Sequence, residues 1–370
     1  MKNEGNAHVG STETTNSSSG NGLQRRSFLK SMGVAGAALA GGSLLATAAE
    51  TSPKKGVITS GDVAILRFLA AAELIETDLW QQYAELGGLT SGKQNAYQLA
   101  LQRLDGDGSQ YIQSNTNDEA SHAAFLNAYL ESIGAEPVDL SGFATLAPSQ
   151  APGVEQVGRL TNLMNLNVDT SWYTRYRSKT NPDFGASFPQ AIDLVNVPAI
   201  PRDKSDFGPK DHVQAIANTA AFHFGTIEQG GSSLYSAMAQ KATSLEVLQI
   251  IVSIGGDEVA HFLEWVDFAG NGVQAPVAPF TDPVSGVTFP DFNATANPLL
   301  QTNLIFPIPC EFISPNLPAC AVIRPTNPKG IAKGVVSFLN NMNLFDGQSP
   351  AFFTALNKLA AAADAAKRGF

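Results

Sequence analysis

Two of the five histidines follow a glutamate by three positions, and in both cases an aspartate stands directly before that glutamate. The segments are Asp118-Glu119-Ala120-Ser121-His122 and Asp257-Glu258-Val259-Ala260-His261. On an α-helix, residues three apart project about 60° from one another, so a carboxylate and an imidazole at this spacing open onto one space. Such a pair can grip a single metal ion. The neighbours at helical spacing are apolar: Ile112, Leu126 and Leu130 beside Glu119, and Val247, Ile251, Ile254, Phe262 and Trp265 beside Glu258. A carboxylate buried on such a face without compensation costs several kcal/mol (about 3–5 when a buried charge loses its partner), and a cation compensates both residue types at once.

Helices must carry these pairs. Apolar residues recur at three- and four-residue steps from Gly61 to about Leu86, which predicts a first long helix. Shorter segments at Ser91–Leu104 and Ser109–Ile133 follow, separated by Asp105-Gly106-Asp107-Gly108 and ended by Gly134. A helix is expected over Val154–Arg177 and two strong ones over Asp211–Gln240 and Ser244–Phe268. Two short helices close the chain near Lys329–Asn341 and Pro350–Arg368.

A pair of Glu–His motifs calls for one further carboxylate from each of two other helices. Glu76 lies in the middle of the stripe Ile65, Leu69, Ala72, Leu79, Trp80 and Tyr83, with Glu73 at its margin as second choice. Glu228 is centred on Ala217, Ala221, Phe224 and Tyr235, and Asp169 competes with it if the 154–177 helix joins the bundle. Tyr83 and Tyr235 stand seven residues after Glu76 and Glu228, on the same faces. With Trp265 they read as core aromatics ahead of redox relays. His223 falls on the face opposite Glu228, and His212 opens its helix, where exposure is expected.

The repeated order Glu…Tyr…Asp-Glu-x-x-His resembles the ferritin-like superfamily of di-iron or di-manganese carboxylate four-helix bundles, and in particular exported bacterial ferritin-like domain proteins. The resemblance covers about residues 61–135 and 211–269. It implies a mainly α fold: an antiparallel four-helix bundle over 61–269, with an inserted helix and loop segment at 135–210 and a loop-rich C-terminal extension. It implies six metal ligands, Glu76, Glu119, His122, Glu228, Glu258 and His261, with Glu119 and Glu258 bridging two ions. Asp118 and Asp257 would each orient a histidine through the ring nitrogen away from metal.

The polar N-terminus runs into Arg25-Arg26-Ser27-Phe28-Leu29-Lys30, then a weakly apolar run from Ser31 to Ala48 ending in Ala46-Thr47-Ala48. This resembles a twin-arginine export signal over residues 1–48, with Gln24 where Ser or Thr is more usual, and implies a periplasmic or extracellular destination and no membrane span once removed. Lys2, Arg25, Arg26 and Lys30 against Glu4 and Glu13 leave that segment at +2, so the total of −10 puts the remainder at −12. An acidic body of this kind repels phosphate backbones, which argues against a nucleic-acid partner. Residues 270–370 form a Pro-rich extension in which Cys310 and Cys320, in an exported chain, are expected to pair as a disulfide.

Histidine plus carboxylate suits iron or manganese. The expected activity is reaction with O2 or peroxide at two such ions, ferroxidase-like, peroxidase-like or catalase-like, a manganese catalase included. The alternative is a non-catalytic metal-binding or stress-protection protein.

Overall fold

The computed structural model describes residues 57–89, 94–175, 189–272, 277–292, 307–308, 310–322 and 325–369. The segment expected to be an export signal, residues 1–48, lies outside them. Helix α1 spans Ser60–Gly87, α2 Ala96–Leu104 and α3 Gly108–Ser132; later come α4, a single turn at Trp172–Arg175, then α5 Lys210–Ala239 and α6 Leu245–Gly272. Helices α7 (Ile331–Asn341) and α8 (Pro350–Ala365) close the chain. Strands are short and paired in antiparallel twos: β1 Leu166–Val168 with β2 Leu194–Val197, β3 Phe280–Thr281 with β4 Thr288–Phe289, and β5 Pro307–Ile308 with β6 Cys320–Ala321.

Helices α1, α3, α5 and α6 are the bundle. α1 starts at a reciprocal cap in which the Thr59 hydroxyl accepts the Asp62 N–H while the Asp62 carboxylate accepts the Thr59 N–H. The other oxygen of Asp62 accepts the Thr243 N–H at 2.8 Å, so the start of α1 is tied to the turn between α5 and α6. α3 ends where Gly134 adopts a left-handed φ of 74° and the Ala135 N–H reaches back to the Leu130 carbonyl. α1 packs along α3 and α5 along α6, each pair antiparallel: Thr116 meets the Trp80 carbonyl near one end of the first pair, and Arg67 meets Glu136 at the other. α5 is buried on almost every face, because α2, α7 and the long crossover between α3 and α5 cover the sides that α6 leaves open.

That crossover is not the helix expected over 154–177. Over 154–175 it is largely irregular, with β1 at 166–168 and one helical turn at Trp172–Arg175. Its anchors explain the departure, because α1 supplies side chains that satisfy its backbone and charges. Asp78 accepts the Thr161 N–H at 2.9 Å, Gln82 reaches the Thr161 carbonyl and hydroxyl, and the buried Arg159 guanidinium meets Glu85 at 2.6 Å. These three acceptors and donors recur at helical spacing on the outer face of α1. Asp169 is buried among Ser171 and Gln190 in this segment and does not enter the bundle centre. Trp172 docks so closely on α5 that a Cβ at Gly225 would collide with its ring, and its indole N–H donates to the Phe222 carbonyl at 3.1 Å.

The C-terminal region is less peripheral than expected. α8 packs on α1, and the Asp364 carboxylate caps α7 by accepting the Ala332 and Lys333 N–H groups. The expected Cys310–Cys320 disulfide is not formed. The β5–β6 register sets Ile308 opposite Cys320, which leaves Cys310 two residues past the facing position, buried while Cys320 is exposed. His212 is buried rather than exposed: Nδ1 faces Asp282 at 2.9 Å and Nε2 faces Asp206 at 3.1 Å, clamping the first turn of α5 to the loop of β3 and β4.

Burial opposes ionisation of both aspartates in that clamp, but hydrogen bonds outweigh it, from Arg202 for Asp206 and from Ser285, Val284 and His212 for Asp282. Both carboxyls therefore titrate below their ordinary range. Their contribution to stability is complete above the unfolded value, about 4, and is lost as pH falls through the depressed folded values. Asp282→Asn is expected to lower stability by roughly 1–3 kcal/mol at neutral pH. In thermal unfolding against pH, its gap from the unsubstituted protein should close below about pH 4; a gap independent of pH would contradict the clamp.

Candidate metal centre

The two Glu–His motifs face each other across the bundle. Glu119 and His122 come from α3, Glu258 and His261 from α6, Glu73 from α1 and Glu228 from α5. One group of ligand-capable atoms, from Glu73, Glu119, His122 and Glu258, lies within 4.8 Å of itself; a second, from Glu119, Glu228 and His261, does the same. Glu119 belongs to both. The four glutamates are fully buried, and the two histidines nearly so.

His122 Nδ1 lies 3.2 Å from Glu119 and 3.5 Å from Glu73, and His261 Nδ1 lies 3.1 Å from Glu119 and 3.4 Å from Glu228. The inward nitrogen is thus Nδ1 in both rings. The outward Nε2 atoms meet aspartates from the opposing helix: Asp257 at 3.2 Å from His122, and Asp118 at 3.4 Å from His261. Each aspartate orients the histidine of the other motif, a pairing that fixes ring orientation and ties α3 to α6. The aspartate side chains are half-exposed, so water reaches the outer edge of the histidines while the carboxylates stay dry.

Of the sequence candidates, Glu119, His122, Glu228, Glu258 and His261 are brought together, and Glu76 is not among them. Glu73 stands in its place. The two glutamates differ by about 60° around α1. Glu76 turns toward α5 and α7, lining a cavity of about 20 Å³ walled by Ile227, Gly230, Gly231, Leu234, Val335 and Phe338. Tyr235 donates a hydrogen bond to Glu73 on the opposing pair, not to a glutamate of its own helix, and Tyr83 pairs with His223 instead of an acid. Two contributors had no signal in the sequence reading. Asn115, one turn before Glu119, donates to Glu119 Oε1 at 2.8 Å and Glu228 Oε1 at 3.1 Å. Gly231 leaves room for Glu258, whose Oε2 would collide with any Cβ there. Attention to the residue one turn before each motif would have raised Asn115, since i and i+4 share a face.

The electrostatics are those of a cluster that asks for cations. Burial first, then the charges of Glu119, Glu76, Glu73 and Glu228, push the Glu258 carboxyl well up. Burial and Glu228 push Glu119 up to about 8, despite hydrogen bonds from both histidines. Glu76 is raised by burial and then by Glu119, Glu73 and Glu228. Burial would depress His122, but Asp257, Glu119 and Glu73 push it up to about 12, and His261 is raised by the same balance, with Glu228 foremost. Even so, Glu73 Oε2, Glu228 Oε2 and both oxygens of Glu258 have no hydrogen-bond partner. Buried acceptors of this kind are normally satisfied. Unpaired oxygens converging with imidazole nitrogens suit a metal ion, and Glu73, Glu119, His122, Glu228, Glu258 and His261 are the residues that would hold it.

Gly231→Ala must displace the Glu258 carboxylate, and Glu73→Gln removes a charge from the centre. Both are expected to lower the metal content of purified protein at least as far as Glu258→Gln does, and further than Glu76→Gln. Elemental analysis of the four variants checks this ordering; full metal content in Glu73→Gln with loss in Glu76→Gln would reverse the assignment.

No curated protein and no solved structure matched the chain. A family model described as "Ferritin-like domain" matches residues 61–265, from the first turn of α1 through Trp265 on α6. That is more than half of the 370 residues and takes in every residue of the centre, so the chain belongs to the ferritin-like domain family.

Proposed function

We propose that this is an exported di-metal carboxylate protein that reacts with O2 or a peroxide. The observation that carries the reading is the convergence of four buried glutamates and two Nδ1-inward histidines, with Glu73 Oε2, Glu228 Oε2 and both Glu258 oxygens unpaired. Four carboxylates balance two divalent cations, so the loaded centre would be close to neutral and cheap to bury. Nitrogen and carboxylate donors favour iron or manganese, which when bound supply the electrons that reduce oxygen or peroxide. The chain's own part is orientation and exclusion of water. Asp118 and Asp257 hold the imidazoles, Asn115 clamps Glu119 to Glu228, and the Tyr235 hydroxyl holds Glu73. Stacked Trp80, Trp265 and Phe224 seal the floor. Support for export comes from Arg25-Arg26 and the small-residue exit at Ala46-Thr47-Ala48. No helix among the described residues is long and apolar enough to cross a membrane.

Elemental analysis and an absorption spectrum of the exported protein are expected to show a transition metal, with a Glu119→Ala, Glu258→Ala double variant depleted of it. The reduced protein should consume oxygen or hydrogen peroxide faster than the same free metal. Equal metal content in the double variant would end the proposal. Full occupancy without turnover would leave a metal-binding protein with no redox reaction.

A further inference from the structure

The buried pair Tyr83 and His223 takes no part in the centre, and its geometry is unusual. The phenol oxygen lies 2.6 Å from His223 Nδ1, and both residues are wholly buried. Burial lowers the His223 pKa to about 3, so the ring is neutral. Burial also raises Tyr83, which keeps the phenol protonated. His223 Nε2 has no hydrogen-bond partner. Two arrangements are open to a neutral imidazole. If Nδ1–H donated to the phenol, Nε2 would be a bare acceptor and the phenol hydrogen a second orphan. If the phenol donates to Nδ1, only the Nε2–H is orphaned. The second wastes fewer polar groups and is favoured. It places a base at the end of the phenol's O–H bond.

The pair is connected to the centre. Phe224 is the nearer ring to Tyr83 at 4.6 Å, but a phenyl ring is too hard to oxidise to relay a charge; the nearest oxidisable ring is Trp80, centroid to centroid 5.6 Å, and Trp80 stacks on Trp265 at 5.2 Å with 24° between planes. The Trp265 indole N–H donates to Asn115 Oδ1 at 2.7 Å, and the Asn115 amide donates to Glu119 and Glu228. Along this path the rings differ in one respect. The Trp80 indole nitrogen has no partner, and that of Trp265 meets an amide oxygen, which is not a base. An oxidised tryptophan here has nowhere to send its proton and can only pass the electron deficit on. Tyr83 alone has a base within reach.

We propose that Tyr83 with His223 is a one-electron redox site, wired to the carboxylate–histidine centre through Trp80 and Trp265, that absorbs oxidising equivalents the centre does not deliver to a substrate. Tyr83 gives one electron to oxidised Trp80, its O–H bond breaks, and an N–H bond forms at His223 Nδ1. Trp80 is refilled by that electron, having refilled Trp265, which was oxidised by the centre after reaction with peroxide. The products are a neutral phenoxyl radical and an imidazolium. Return of one electron and the proton restores the pair. The proposal rests on the redox reading of the centre for its oxidant, but the relay itself does not.

Two measurements on the full-length protein separate these. In the first, azide radicals generated by pulse radiolysis oxidise tryptophan without any metal chemistry. The indolyl absorption is expected to decay as phenoxyl absorption grows. Tyr83→Phe should abolish the Tyr83 component. His223→Gln, which can keep a hydrogen bond but is no base, should slow it by about a hundredfold, the scale of a lost general base. In the second, peroxide is added to the metal-containing protein and electron paramagnetic resonance is recorded after freezing. A tyrosyl signal is expected that narrows in protein grown on ring-deuterated tyrosine and vanishes in Tyr83→Phe and Trp265→Phe. No Tyr83-dependent transfer in the first measurement overturns the relay, whatever the metal does. An unchanged rate in His223→Gln overturns the role of the base. Transfer in the first with peroxide consumed but no Tyr83 radical in the second overturns the connection to the centre. Protein that holds no metal would fail only the second, and that failure belongs to the redox reading.

Discussion

Four glutamates share the dry middle of this bundle, and their mutual repulsion is the constraint around which the rest is arranged. Each buried carboxylate must be neutralised by a proton, an imidazolium or a cation. The raised Glu119 and Glu258 and the raised His122 and His261 are the protein's response when only protons are to hand. The scaffold shows what holding such a cluster demands. Helices of 25 to 30 residues are tied at their ends by Asp62, by the His212 clamp and by the crossover stitched to α1. Without those ties, the helices could relieve repulsion simply by moving apart.

The two halves of the bundle supply equivalent ligands in unlike surroundings. Three residues after Glu73 stands Glu76; three after Glu228 stands Gly231, which admits Glu258. One turn before Glu119 stands Asn115; one turn before Glu258 stands Ile254. The polar link from the ligands to the aromatic floor is therefore supplied by the first half, through Asn115, which joins Glu119 and Glu228 to Trp265. The side toward α5 and α7 has an additional acid, Glu76, beside a small apolar cavity. A symmetric ligand set with asymmetric neighbours has distinct faces: a wet histidine edge, a dry aromatic floor and a small apolar chamber.

Much of this was legible in the residues themselves. The Asp-Glu-x-x-His pairs, the long helices that carry them and Glu228 follow from helical geometry within single segments, where spacing converts directly into direction. The cap at Gly134 and the closing helices were readable for the same reason. The insert was less so. Val154–Arg177 has helix-compatible spacing, but hydrogen bonds offered by Asp78 and Gln82 on a distant helix hold it in an irregular path, and no local pattern encodes a remote partner. The cysteine pair shows the limit from another side: short separation in sequence permits a disulfide, whereas strand register decides it.

Glu73 and Glu76 mark the boundary most sharply. The sequence by itself determined that α1 carries acids on an apolar helix, because composition and a 3.6-residue period are properties of one segment. It placed Glu76 at the middle of the apolar stripe, because that stripe includes residues covered by α5, α7, α8 and the crossover as well as by α3. Which acid meets the histidines, which aspartate orients which ring and which tyrosine finds an acid were decided by tertiary structure alone. A helix face acquires its inward sense only from whatever covers the remaining faces, and that covering comes from other parts of the chain, many of them far away in sequence.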